Sequence, residues 1–530
     1  MKYSWRILAI VPLLTLLCGC VANRSYRRGD ANKNEFPPSI DPVPSSVKDC
    51  LHLPEQECVQ MPDGKRPQHF YLAHIEFDDM GELWSIGDLR PEATRNPSQL
   101  ENALAIIRKA RSQAEQTGVP LVVIAFVHGW HNNASMGDEE KKNLGSFKTV
   151  LETLSSRSSL EVADKPPVLV GIFLSWRGQS IAGDVVLTYW GRRDAATRVG
   201  GPSMTEVVTR LMFETKGVPL TPSIDDRCAA HERRKDSHFA IIAHSFGARA
   251  LEHALTQPML AMILERQTEA RECADDWNRN NPNDPPITNL SFLAPADLVV
   301  FLNAANDAFE AKETIEALKR AQIRVTRPRT AAVHEAAIGA VAPFMISITS
   351  DGDWATERIM PLAQWFSSVP LYFRQYDRDG CDQEGQLCEH TQRYYYRHSE
   401  ASIKEMRSHV VISADSLTPC QTKSVDSWPY FLVDGPNKTQ QCYCIAHNNP
   451  ASLEDKCKQE KRFSQKAKFG TKGVWNDTPF YVMGVPPSLI PDHNAIFQDG
   501  TEELLIAISA HFDVLISPTL MTSPASSATH

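Results

Sequence analysis

Ser245 lies in Ile241-Ile242-Ala243-His244-Ser245-Phe246-Gly247-Ala248-Arg249, an apolar strand-like run that turns directly into a helix-forming stretch. A serine at such a strand–turn–helix corner has its hydroxyl exposed, and the helix N-terminus behind it favours developing negative charge. The corner crowds neighbouring backbone and needs small flanking residues, which Ala243 and Gly247 supply. The chemistry this suggests is nucleophilic attack on an acyl carbon. The pattern A-x-S-x-G alone is common; the strand before it and the helix after it carry the weight.

Upstream, Phe126-Val127-His128-Gly129-Trp130-His131-Asn132-Asn133 follows another apolar run. In serine hydrolases of this type, the loop after that strand gives one backbone N–H to the oxyanion, and the residue after the nucleophile gives the other. The donors would be Trp130 or Gly129, and Phe246. His128 reads as a loop-shaping residue, and His131 and Asn132 as loop or pocket residues, rather than as metal ligands.

A Ser-Trp follows in Leu174-Ser175-Trp176-Arg177-Gly178, and then Tyr189, Arg192, Arg193, Ala195 and Ala196. With these motifs the chain resembles the α/β-hydrolase superfamily, and within it a poorly characterised bacterial serine-hydrolase branch carrying His-Gly-Trp and His-Ser-x-Gly. The resemblance covers about residues 65–360 and 478–515. It implies an acid and then a base, in that order after the nucleophile. The run Phe344–Thr349 leads into Ser350-Asp351-Gly352-Asp353-Trp354, where Asp353 fits the family spacing better than Asp351. Asp297, in Leu293-Ala294-Pro295-Ala296-Asp297, is a third candidate that the resemblance makes structural. The base is expected in the loop after the last strand, at His493, with His447 as its backup.

The elements that would position these residues alternate along the chain. Short runs apolar on both faces occur at Leu121–Val127, Val168–Leu174, Phe239–Ala243, Leu290–Leu293, Phe344–Ile348 and Phe480–Met483. Helical stretches are expected at Ser98–Gln116, Ser245–Leu255, about Val299–Ala321 and Glu502–Ala510. Strands apolar on both faces imply a mostly parallel central sheet with helices on both faces, an α/β class. Phe70–Phe77 and Glu82–Trp84 flank Asp78-Asp79-Met80-Gly81 as a hairpin. The alternation breaks between Phe366 and Trp475, a Cys-rich stretch read as an insertion or cap, or as an irregular extension of the core. Its length explains the gap of about 140 residues between Asp353 and His493.

The 530-residue chain has room for two or three domains of about 100–200 residues each. With 42% hydrophobic residues, net charge −9 and no basic stripe, it is globular in composition and no nucleic-acid partner is expected. Lys2 and Arg6 precede an apolar run, Ile7–Leu17, that is too short for a spanning helix of about 20 residues and reads as a signal peptide. The run ends in Leu17-Cys18-Gly19-Cys20, which resembles a bacterial lipobox, with Cys20 as the lipidated N-terminus. Val21 after it suggests the outer membrane, facing the periplasm. The expected organisation is therefore signal 1–19, tether 20–65, hydrolase domain 66–515 with the insertion at 366–475, and a disordered tail 516–530.

Cys50, Cys58, Cys228, Cys273, Cys381, Cys388, Cys420, Cys442, Cys444 and Cys457 remain for disulfides in an oxidising envelope. Cys50 with Cys58 and Cys381 with Cys388 are near neighbours. A zinc site from Cys381, Cys388, His390 and His398 is the competing reading, although the spacing fits no compact metal motif. No metal or cofactor is expected. The resemblance implies a membrane-anchored esterase or lipase working through an acyl-enzyme on a small-molecule or lipid ester. The alternatives are an amidase or peptidase with the same triad, or a non-catalytic envelope lipoprotein using the fold as a binding scaffold.

Overall fold

The computed structural model describes residues 25–27, 70–84, 98–135, 142–155, 166–180, 188–217, 237–280, 282, 296–320, 343–373, 392–413, 420, 430–434, 440–447 and 478–511. The expected signal segment, the Cys50–Cys58 and Cys381–Cys388 pairs, His390, the Leu290–Leu293 run and the 516–530 tail lie outside them.

The described chain is mixed α/β. Its ten strands are β1 Phe70–Glu76, β2 Leu121–Val127, β3 Val168–Ser175, β4 Ser237–His244, β5 Leu298–Leu302, β6 Met345–Ser350, β7 His409–Ser413, β8 Tyr430–Asp434, β9 Gln440–His447 and β10 Phe480–Val485. They form one sheet in the order β1-β3-β2-β4-β5-β6-β10-β7-β9-β8. From β1 to β7 every neighbouring pair is parallel, and β9 then runs antiparallel to both β7 and β8. Parallel pairing puts the C-terminal ends of β1 to β6 and of β10 on one edge.

Alternate residues of a strand point to opposite faces. In β2, Val123, Ala125 and Val127 enter one core, while Val122, Ile124 and Phe126 enter the other. Both faces are therefore apolar, as a helix-covered parallel strand requires. The helices are α1 Gln99–Thr117, α2 Asn143–Ser155, α3 Tyr189–Val199, α4 Pro202–Lys216, α5 Phe246–Asn280, α6 Ala308–Arg320, α7 Met360–Ser367, α8 Gln392–Arg397 and α9 Asp499–His511. Ser98 accepts the Glu101 N–H at the start of α1, and Gly118, at φ 68°, ends it. Gly171 lets α2 approach the sheet: a Cβ there would stand 2.3 Å from Leu151 Cδ1. Among the described residues, no helix is long and apolar enough to cross a membrane.

Two expectations change. Val299–Leu302, expected to open a helix, belongs to strand β5, and the helix starts only at Ala308. The run Leu298-Val299-Val300-Phe301-Leu302 is β-branched and aromatic enough to favour a strand, and Asn303 at φ 44° ends it. Helix α5 runs on to Asn280, past Pro258. The described parts of the Cys-rich stretch contribute β7, β8 and β9 to the main sheet, with a disulfide between Cys420 and Cys442.

Part of the expected tether is also seated in the body. The Ser25 hydroxyl and the Tyr26 and Arg27 N–H groups all donate to the Glu76 carboxylate, at 2.5–2.8 Å. Arg27 Nε donates to the Ala134 carbonyl at 2.8 Å, and Ser25 and Arg27 are buried. In the expected hairpin, the turn after β1 is closed by an isolated antiparallel bridge between Phe77 and Leu83 and by the N–H groups of Asp78 and Trp84, which donate to Glu82 O and Glu76 O at 2.9 and 3.1 Å.

Candidate active site

Ser245 follows β4 and precedes α5, at φ 54°. That left-handed conformation is costly for a residue with a side chain and marks a constrained position. Neighbouring chain holds it there. The Ser245 N–H donates to Leu302 O at 3.2 Å, and its carbonyl accepts the N–H groups of Ala248 and Ala305 at 3.1 and 3.2 Å. The glycines beside it are steric necessities. A Cβ on Gly247 would sit 2.4 Å from His128 O, and one on Gly129 would sit 2.7 Å from Ser245 Cβ.

His493 stands in the loop after β10. Its Nε2 lies 2.9 Å from Ser245 Oγ, and its Nδ1 lies 2.9 Å from Asp353 Oδ2. An ionised carboxylate can only accept, so Nδ1 carries the proton and Nε2 is left to accept the serine hydroxyl. Asp353 is fully buried. Its Oδ1 accepts the Ala355 and Thr356 N–H groups at 3.0 and 3.2 Å, and the Thr356 hydroxyl donates to Oδ2 at 2.7 Å. Burial alone would raise its pKa, but the hydrogen bonds from His493 and Thr356 and the attraction of His493 prevail and hold it below the ordinary aspartate range. The carboxylate thus stays ionised while it caps the turn after β6.

The other acid candidates lie elsewhere. Asp351 pairs with Arg407 Nη2 at 2.7 Å and its side chain is half exposed. Asp297 precedes β5 instead of following a strand, which puts it at the opposite edge of the sheet from Ser245. There it accepts the Phe239 N–H at 2.6 Å and pairs with Lys216. His447 lies opposite His409 in the β7–β9 pairing, away from Ser245. His398 donates to Tyr394 O at 2.9 Å and stacks on that ring. Among the described residues, no group of three or more His, Cys, Asp or Glu side chains is placed to hold a metal ion.

The loop after β2 is shaped by His128. Its Nε2 accepts the Trp176 N–H at 3.1 Å and faces the Ser175 hydroxyl at 2.9 Å, while its Nδ1 donates to Gly129 O at 2.9 Å. Burial first, and then the positive Lys142, push its pKa down to about 4, so the ring is neutral. Asn132 Nδ2 donates to Trp130 O at 2.8 Å, and His131, at φ 67°, donates its N–H to Gly178 O at 3.2 Å. These contacts fix Gly129 and Trp130 beside Ser245. Among the described residues, the Trp130 N–H makes no backbone hydrogen bond. Phe246 opens α5, and first-turn N–H groups have no partner within their own helix.

Two positioning residues escape sequence reading. His244 Nε2 donates to the His493 carbonyl at 2.8 Å. Asn303 Nδ2 donates to the carbonyls of Asp492 and His493 at 3.2 and 3.0 Å, and its Oδ1 accepts the Ser350 N–H at 3.0 Å. His244 belongs to the His-Ser-x-Gly motif, which by itself gives it no role. Asn303 carries no sequence signal, because the run before it also fits a helix. Ser350 Oγ also donates to Ile490 O, so the acid and base loops are tied directly together.

Comparison of the chain with protein-family models, curated proteins and solved structures returned no match.

Proposed function

We propose that this chain is a serine hydrolase of the α/β-hydrolase type, acting on carboxylic esters. The observation that carries the reading is the continuous relay from Ser245 Oγ through His493 to Asp353, with both contacts at 2.9 Å. In this mechanism Ser245 attacks the ester carbonyl as His493 Nε2 takes its proton. His493 then protonates the leaving alcohol, and a water activated by the same ring hydrolyses the acyl-enzyme. Asp353 fixes the ring tautomer and stabilises the imidazolium. The backbone N–H groups of Phe246 and of Trp130 or Gly129 stabilise the oxyanion. Amide or thioester cleavage would use the same groups. The proposed setting is the bacterial envelope, with Cys20 as lipid anchor and residues 366–475 as an insertion into the hydrolase domain.

A fluorophosphonate probe tests the reading. Covalent labelling of the folded chain that is lost in Ser245→Ala, together with ester turnover lost in the same variant, is the expected result. Absence of labelling in verified folded protein would instead identify a non-catalytic binding scaffold.

A further inference from the structure

Apart from Met80 and Leu264, every large hydrophobic side chain exposed among the described residues falls between positions 354 and 372. Trp354, Leu362, Trp365 and Phe366 are 57%, 59%, 47% and 55% exposed, and Val369 and Tyr372 are 68% and 104% exposed. On α7 and just beyond it, 362, 365, 366 and 369 follow helical spacing on the outward side, while Met360, Ala363 and Gln364 are buried inward. A surface helix normally turns polar residues outward. This one turns apolar side chains outward, and no charged residue occurs from Met360 to Phe373. Contiguous exposed apolar surface of this kind marks an interaction site.

We infer that this face seats on a phospholipid bilayer and brings the Ser245 edge of the sheet to the membrane, so that the substrate is an ester carried by a membrane lipid. Three observations favour a bilayer over a protein partner. Tryptophan and tyrosine, with an apolar body and a polar tip, suit the headgroup boundary. Basic residues flank one side of the patch in a chain of net charge −9: Arg393 is exposed and lies 5.3 Å from the Phe373 ring, and Arg397 donates to Ser368 Oγ at 2.9 Å, while on the other side exposed Arg358 neighbours exposed Glu357. Apolar insertion beside basic residues is the chemistry that binds anionic lipid surfaces.

The third observation is the seated N-terminal segment. Ser25 is fixed to Glu76 at the C-terminal end of β1, and four residues separate it from Cys20. The five chain steps between them reach at most about 18 Å, so a lipid on Cys20 would hold this edge of the sheet close to the membrane. Glu76 and the loop bearing Asp353 lie on the same edge. The five strand spacings from β1 to β6 span about 24 Å, so one flat surface can meet both.

A chain of packed aromatic rings links the patch to the neighbours of Ser245. Trp190 Nε1 donates to Ala363 O at 3.3 Å, and its ring meets Phe366 at 6.5 Å and Tyr189 at 5.8 Å. Tyr189 in turn packs on Phe246 at 5.2 Å and Trp130 at 5.9 Å.

The test uses the mature-length chain carrying Cys20→Ser, so that no attached lipid contributes. This chain should float with vesicles of phosphatidylethanolamine and phosphatidylglycerol, and brominated lipids should quench its tryptophan fluorescence. Leu362→Ser with Val369→Ser should weaken flotation roughly tenfold or more, with the thermal unfolding midpoint retained. A chain that neither floats nor is quenched overturns the inference. So does equal flotation of the double variant, or a dimer in sedimentation velocity that the double substitution disperses. The lipid-substrate step rests on the proposed hydrolase activity. Flotation does not require Ser245 to react, so a chain that floats but is never labelled at Ser245 would sink the hydrolase reading alone and leave the membrane surface standing. A chain that floats and is labelled but releases no fatty acid from the vesicles would overturn the substrate class.

Discussion

His244 donates its Nε2–H to the backbone carbonyl of His493 at 2.8 Å, so the residue before the candidate nucleophile holds the candidate base. The ring is fully buried, and burial together with the nearby His493 lowers its pKa to about 3. It therefore acts as a neutral donor. His244→Phe keeps the bulk and removes the donor. A displacement of about 1 Å in a reacting group can cost ~10²-fold in rate, so kcat should fall by roughly that factor with KM little changed. His244→Gln keeps a donor and should restore much of the rate. Equal kcat in the Phe variant and the unaltered chain would remove His244 from the positioning machinery.

Asn303 ties both loops together from a left-handed backbone conformation, φ 44°. Glycine tolerates that backbone, whereas alanine in it costs about 1–2 kcal/mol. Asn303→Gly should thus lose mainly turnover, because its two acceptors in the base loop and its donor at Ser350 lose their partner. Asn303→Ala should lose turnover and additional stability. Urea unfolding of the two variants alongside their kcat separates the contributions; indistinguishable unfolding midpoints would contradict the backbone argument.

Gly129 approaches Ser245 so closely that an added Cβ would stand 2.7 Å from the serine Cβ and 3.0 Å from His244 O. Overpacking of this kind typically costs about 1–3 kcal/mol. In Gly129→Ala the loop after β2 must retreat from the nucleophile. Fluorophosphonate labelling should slow by more than the stability loss explains, since the same loop is proposed to donate to the oxyanion. Unchanged labelling with a lowered melting temperature would confine Gly129 to packing.

What was legible in the sequence was set by local chemistry. The strand Ile241–Ala243, the glycines at 129 and 247, and the order Ser245, Asp353, His493 all leave short-range marks, and the structure brings those three side chains together. Positions fixed by distant chain were not legible. Asn303 lies 190 residues from the carbonyl that it holds. Val299–Leu302 reads equally as the start of a helix, because a five-residue apolar run does not distinguish strand from buried helix. Ser25–Arg27 reads as polar linker, and only the carboxylate of Glu76, about 50 residues on, makes it part of the body. Within 366–475 the strands β7 to β9 are short and joined antiparallel to one another, so the βα rhythm gave no sign that they belong to the main sheet.

Glu400 is fully buried beneath β6, accepting the Ser347 hydroxyl at 2.6 Å, and its second carboxyl oxygen has no hydrogen-bond partner among the described residues. Burial raises its pKa to about 7, assisted by the negative Glu310 and Asp307 and only partly offset by the bond from Ser347. Glu252 is buried nearby, and its pKa is also raised, first by burial and then by Glu400. A carboxyl whose folded pKa exceeds its unfolded value stabilises the fold fully below the unfolded pKa, about 4.3, and loses that contribution as pH rises through the folded value. Glu400→Gln keeps the shape and an acceptor for Ser347 but cannot ionise. Relative to the unaltered chain it should gain stability progressively from about pH 4.5 to 7, with a ceiling of roughly 3.5 kcal/mol at about 1.4 kcal/mol per pKa unit. The contributions of the buried histidines His128 and His244 run the other way, since their lowered pKa values weaken the fold as pH falls below about 6.5. They are common to both chains and cancel in the difference. Urea midpoints of the two proteins at pH 5, 6, 7 and 8 give that difference directly, and a gap that does not widen with pH would show that Glu400 is not held protonated in the fold.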